Sequence, residues 1–266
     1  MSLCVIGNSH VGMLRAAAQS GWRGPPLVYF AKAGGGIERA RVRGSVIIAD
    51  DPDLVAAQRR YGLPTEIDVA DCEAVIFVAG TASLFNAAQV LQSHRLSDPV
   101  GPGGGGSAGA ELAERDPRQL LSQAAFVDAL ADRARAGYSH RFATALRRAT
   151  GVPMFLVPQP FPGEAVLDAP PPHGPLFRRL RASGEGAAVV APLALALERA
   201  FAGIEGLHLL LQPEDTVAHG FLTARAFTRD AVRVNGATPQ HGGDFLHVGA
   251  VFGSRVLDRV ATVLNG

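Results

Sequence analysis

Short, wholly apolar runs alternate along the chain with longer segments whose apolar residues recur at helical spacing. Leu3 to Ile6 is a continuous apolar run that stops at Gly7, and His10 to Ala18 then carries helix formers. The pattern predicts strand, tight turn, helix, with Ser9 in the turn. Pro26 to Ala31 predicts a second buried strand emptying into Gly34-Gly35-Gly36, and Ala74 to Ala79 a third ending at Gly80. Val152 to Val157 and Leu207 to Leu211 supply a fourth and a fifth. Between them lie helical patterns such as Leu120, Ala124, Val127, Ala131 and Ala134, and a last one through Phe252, Val256, Val260 and Leu264.

Strands alternating with helices predict a three-layer, flavodoxin-like α/β fold with a mostly parallel five-stranded sheet, and the length fits one domain over residues 1–266. In such sheets ligands bind beyond the carboxyl ends of the strands, where Ser9, Gly35 and Gly80 would lie. Two irregular insertions interrupt the rhythm, near residues 99–117 and 158–175. The first holds Gly103 to Gly106 and reads as flexible; the second holds Pro170-Pro171-Pro172 and reads as stiff and extended. Both follow strands closely enough to overhang the site, so a lid role stands beside a plain surface-loop reading.

Composition narrows the function classes. A net charge of +1, with no dense Lys/Arg run, argues against nucleic acid as a ligand. Cys4 and Cys72 are too few for a disulfide framework and fit a reducing compartment. Leu3 to Ile6 is too short for the apolar core of a secretory signal, and the longest apolar run, Ala187 to Leu197, contains Pro192 and falls short of a membrane span. The expectation is a cytoplasmic protein with no membrane span.

A serine at a strand-to-helix turn exposes its hydroxyl at the sheet edge beside the N–H groups of the helix start, but it needs a base before it attacks a carbonyl. Asp244 and His247, just before the last helix, supply a carboxylate and an imidazole at a three-residue step. Taken singly, Asp244 reads as a helix cap and His247 as an ordinary histidine. His241, Asp244 and His247 also carry metal-binding side chains at threefold spacing, but Gly242-Gly243 disfavours the helix that would align them, and a metal leaves Ser9 unexplained. No metal or organic cofactor is expected. Asp51 with Pro52 reads as a helix start. The loop from Gly7 to Gly12 lacks the middle glycine of a dinucleotide site, and His94, His140, His173, His208 and His219 have no partner evident from spacing.

Gly7-Asn8-Ser9-His10 resembles the G-D-S nucleophile block of the SGNH/GDSL hydrolases, and Asp244-Phe245-Leu246-His247 resembles their D-x-x-H block. The two blocks lie at the chain ends, as in that family. The resemblance implies a Ser9-His247-Asp244 triad and an oxyanion hole built from the Ser9 N–H, the Gly35 N–H and a third donor after strand three. The family's G-x-N-D is replaced by Gly80-Thr81-Ala82-Ser83, which leaves Thr81 as the substitute and sets Asn86 about a helical turn too late. His10, Gly34 and Gly80 are expected to contact substrate. The GNSH form is similar to a bacterial subset associated with polysaccharide modification, which implies a small acyl ester, such as acetate on a carbohydrate. An O-acyltransferase with a glycan acceptor and a non-catalytic glycan-binding protein are the alternatives left open.

Overall fold

The apolar runs become strands because each is covered on both faces. In β1 (Ser2–Gly7), Cys4 and Ile6 pack into one core cluster while Leu3 and Val5 pack into another. The same alternation runs through β3 (Cys72–Val78) and β4 (Met154–Val157), and it is why these segments read as unbroken apolar runs. With β2 (Leu27–Ala31) and β5 (Leu207–Leu209) they form one parallel sheet in the order β2-β1-β3-β4-β5. The winding direction reverses between β1 and β3, the place where a doubly wound sheet opens a crevice at its carboxyl edge. The computed structural model describes residues 1–97, 116–235, 238–241 and 243–266.

The principal helices are α1 (Gly12–Gln19), α2 (Pro52–Arg60), α3 (Leu84–Ser93), α4 (Gln123–Arg135), α5 (Tyr138–Arg147), α6 (His173–Ser183), α7 (Val190–Phe201) and α8 (Ala250–Asn265). Met13 and Leu14 of α1 join Phe252 and Val256 of α8 on one sheet face. Ala88, Phe126, Phe142 and Leu193, from α3, α4, α5 and α7, cover the other. The result is three layers. Asp51 caps α2 as its sequence predicts, accepting the Leu54 N–H at 3.1 Å with Pro52 at the first helical position. Pro192 is tolerated in the first turn of α7, where its missing N–H has no intrahelical acceptor.

Several expectations shift. Leu120 is not helical: it lies 60% exposed in a short strand, Gln119–Leu121, that pairs with His94–Leu96, and Ser122 starts α4 by accepting the Ala125 N–H. The segment 158–175 is not a stiff extended arm. It carries a 3-10 turn, Glu164–Asp168, gives way to α6 at His173, and buries Pro160, Pro162 and Val166. The glycine-rich stretch expected near 99–117 lies, apart from Asp116 and Pro117, outside the described residues. An antiparallel sheet of Arg41–Arg43, Val46–Ile48 and Glu66–Asp68 was not legible, since three residues are too few to show a period. No single described helix is long and apolar enough to cross a membrane.

One close contact sets the position of both chain ends. A Cβ on Gly253 of α8 would stand 2.1 Å from the Met13 carbonyl oxygen of α1, so only glycine lets the two helices approach this far. Gly253→Ala is therefore expected to cost about 1–3 kcal/mol through forced separation of α1 and α8. Urea denaturation should show a lowered midpoint at unchanged slope, whereas Gly203→Ala, which meets nothing within 4 Å, should stay within about 0.5 kcal/mol of wild type.

Candidate active site

Ser9 owes its place to its two neighbours. β1 ends at Gly7, where a Cβ would lie 2.7 Å from the Val78 carbonyl oxygen of β3. Asn8 then caps the turn that leads into α1: its Oδ1 accepts the His10 N–H at 3.1 Å, giving a 3-10 turn over Ser9–Val11. The Asn8 N–H donates to the Tyr138 hydroxyl at 3.1 Å, and that hydroxyl donates to the Val78 carbonyl at 2.7 Å. Burial pushes the Tyr138 phenol well above its ordinary value, so it keeps the proton that this bridge uses.

At the other end of the chain, Asp244 organises its own loop. Its Oδ1 accepts the Leu246 N–H at 2.7 Å and the His247 N–H at 3.3 Å, and its Oδ2 lies 2.7 Å from His247 Nδ1. His247 Nε2 lies 2.9 Å from Ser9 Oγ. With the carboxylate as acceptor, Nδ1 carries the proton and Nε2 is free to accept from the serine. Burial works to raise the Asp244 carboxyl, but its hydrogen bonds to the His247 ring and the two amides outweigh burial and hold it below the usual carboxylate range. The loop is anchored from outside as well, because the Gly163 N–H donates to the Phe245 carbonyl at 2.8 Å. The proline-rich segment thus braces the histidine loop.

His10 is buried, 5% exposed, with its ring centroid 4.9 Å from that of His247. It backs the His247 ring and is not among the residues that line the cleft described next. Its Nδ1 is buried without a hydrogen-bond partner. Desolvation, with a further contribution from His247, lowers its pKa to about 3, so it is a neutral imidazole at ordinary pH.

Gly34, Gly35, Gly80 and Thr81 line one cleft of about 580 Å³ together with Asn8 and Leu246, the neighbours of Ser9 and His247. The N–H groups of Ser9 and Gly35 donate to no acceptor among the described residues, and the Thr81 hydroxyl is buried without a partner. Gly34 takes a φ of +73° and Gly36 of +109°, which lets the β2 loop turn sharply around Gly35. Gly80, at φ +67°, is pressed against the Tyr138 ring, where a Cβ would stand 2.3 Å away. Asn86 also reaches the cleft wall. Its Oδ1 is occupied by the Ser83 N–H at 3.0 Å and the Ser83 hydroxyl at 3.1 Å, so it caps α3.

Spacing alone left out Tyr138 and Ser139, whose hydroxyls bind the Val78 and Ala79 carbonyls at 2.7 and 2.6 Å and fix the loop after β3. It also left out Glu38, Arg133 and His173 of the cleft wall. Gly137 before Tyr138 was the only available signal: a Cβ there would lie 1.9 Å from the Gly80 carbonyl oxygen. His241 accepts the Asp244 N–H at its carbonyl at 3.0 Å, and its Nε2 lies 2.8 Å from an Arg233 nitrogen. Among the described residues no group of three His, Cys, Asp or Glu side chains is arranged to hold a metal ion. No protein-family model matches the chain, and no curated protein matches it.

Tyr138→Phe removes both hydrogen bonds of the bridge and is expected to cost about 1–3 kcal/mol, since the Asn8 amide and the Val78 carbonyl lose their partner. Chemical denaturation measures this directly. His10 gives a separate acid signature. Its folded pKa lies below its unfolded value near ~6.5, so its contribution to stability is complete above that pH and is lost as pH falls toward about 3. Denaturation at a series of pH values should show wild type losing up to about 1.4 kcal/mol per pH unit more than His10→Phe across that window.

Proposed function

We propose that the chain is a serine acyl hydrolase of the SGNH/GDSL type acting on the acyl ester of a polar alcohol such as a carbohydrate. One observation carries this reading: the unbroken hydrogen-bond chain from Ser9 Oγ to His247 Nε2, and from His247 Nδ1 to Asp244 Oδ2, at 2.9 and 2.7 Å. A serine, an imidazole and an ionised carboxylate in this sequence make a triad, recognised by geometry and role whatever the fold. The strand order and the carboxyl-edge cleft support the reading but do not carry it.

In this mechanism Ser9 Oγ attacks the ester carbonyl carbon while its proton passes to His247 Nε2. Asp244 holds the tautomer that makes Nε2 the acceptor and offsets the positive charge of the imidazolium that forms. The negative charge that develops on the carbonyl oxygen is met by the N–H groups of Ser9 and Gly35, with the buried Thr81 hydroxyl as third donor. Neutral His10 behind the ring adds no competing charge. His247 then gives its proton to the departing alcohol. Water, activated by the same imidazole, releases the acid from Ser9. Glu38, Arg133 and His173 give the cleft a polar wall suited to a hydroxyl-rich leaving group.

Intact-mass analysis after treatment with a fluorophosphonate tests the nucleophile before any substrate is known. Wild type should gain one label, Ser9→Ala none, and His247→Ala at most a trace. With an ester in hand, Asp244→Asn should lower kcat by something on the order of 10⁴-fold, since the wrong tautomer then faces the serine. A folded wild type that takes no label would sink the proposal.

A further inference from the structure

The cleft beside Ser9 does not end at its polar wall. Ser83 and Gln159 belong both to that cleft and to a second, more enclosed hollow of about 490 Å³ beyond the carboxyl ends of β4 and β5. β5 stops after three residues, and past its end α7 and α8, from opposite faces of the sheet, both line the hollow. Leu193 and Leu197 of α7 face Phe252 and Val256 of α8 across it, with Val157 and Val217 closing the sides.

The chemistry of its wall selects the ligand. Gln212 spends its Oε1 on the Phe161 N–H at 2.7 Å and its Nε2 on the Thr223 hydroxyl at 3.1 Å. Ser83 is bonded to Asn86. Gln159 and the exposed Glu214 are the other polar side chains of the lining, while most of the wall is aliphatic or aromatic, so a sugar placed here would give up water for few new partners, whereas an aliphatic chain gains burial. The volume falls in the range of small-molecule sites. Position adds to chemistry: β1, which carries Ser9, and β4 are separated by β3 alone, or about 10 Å at the usual strand spacing. An acetyl group held at Ser9 cannot bridge that distance, and a longer linear chain does.

We propose that this hollow receives the aliphatic tail of the acyl group, entering past Ser83 and Gln159, so that the enzyme selects medium-length linear acyl esters over acetyl esters. The proposal rests on the serine-hydrolase reading, and its test keeps the two apart. Values of kcat/KM are measured for p-nitrophenyl acetate, hexanoate, octanoate and decanoate. Each methylene that reaches the hollow should raise kcat/KM by about fourfold until the space is filled. Ala194→Phe, at a partly exposed position in the wall, and Val217→Phe, from the opposite side, should each cut the decanoate-to-acetate ratio by about tenfold or more, with folding verified by circular dichroism. In parallel, calorimetry follows decanoate binding to Ser9→Ala, and binding should be lost when either filling substitution is added.

Fluorophosphonate labelling with no rise in kcat/KM along the ester series would overturn the acyl-pocket proposal and leave the hydrolase intact. Absent labelling with decanoate binding that the filling variants abolish would sink the hydrolase reading and with it the acyl role, leaving an apolar-ligand site. Loss of both signals overturns both.

Discussion

Ser9 and His247 lie 238 positions apart, and the hydrogen bond between them rests on the packing of α1 against α8 over one face of the sheet. Each residue stands three positions before the first residue of its helix, so two helices that begin at the same edge deliver the two side chains to one point. Gly253 permits the approach, and the apolar residues of both helices hold it against the sheet. A side chain in that seam would force α1 and α8 apart, and with them Ser9 and His247.

Around this pair the polar groups are fixed by local bonds that burial makes strong. Asp244 orders its loop by accepting two amides of the same loop and one imidazole, and the Gly163 amide ties that loop to the segment after β4. Tyr138 links the turn before Ser9 to the end of β3, so Ser9 and the neighbouring cleft wall share one support. Against these satisfied groups stand His10 Nδ1 and the Thr81 hydroxyl, buried and unpartnered. Such groups are expensive to keep; one lies in the ring beside His247 and the other in the cleft wall.

The recess at the carboxyl edge is chemically divided. Near Ser9 it offers Glu38, Arg133 and His173; past Gln159 it becomes aliphatic between α7 and α8. The division follows from topology, since the polar part lies over the β1–β3 switch point and the apolar part over the shortened edge strand.

The sequence by itself determined the sheet's inner strands, because residues covered on both faces must be apolar and so leave an unbroken run, and it placed the edge strand β5 by its leucines although His208 between them is exposed. It also determined α8, and it singled out Ser9, Asp244 and His247, whose places at strand and helix ends are local. It missed the antiparallel sheet after β2, whose strands are too short to show a period, and it carried α4 too far back toward Leu120, where the Ser122 cap intervenes. Only the tertiary structure decided that His10 backs His247, that Tyr138 supports the nucleophile turn, and that an apolar hollow adjoins the cleft. Each of these depends on which distant elements touch, and side-chain contacts across a sheet leave no periodic trace in the chain that makes them.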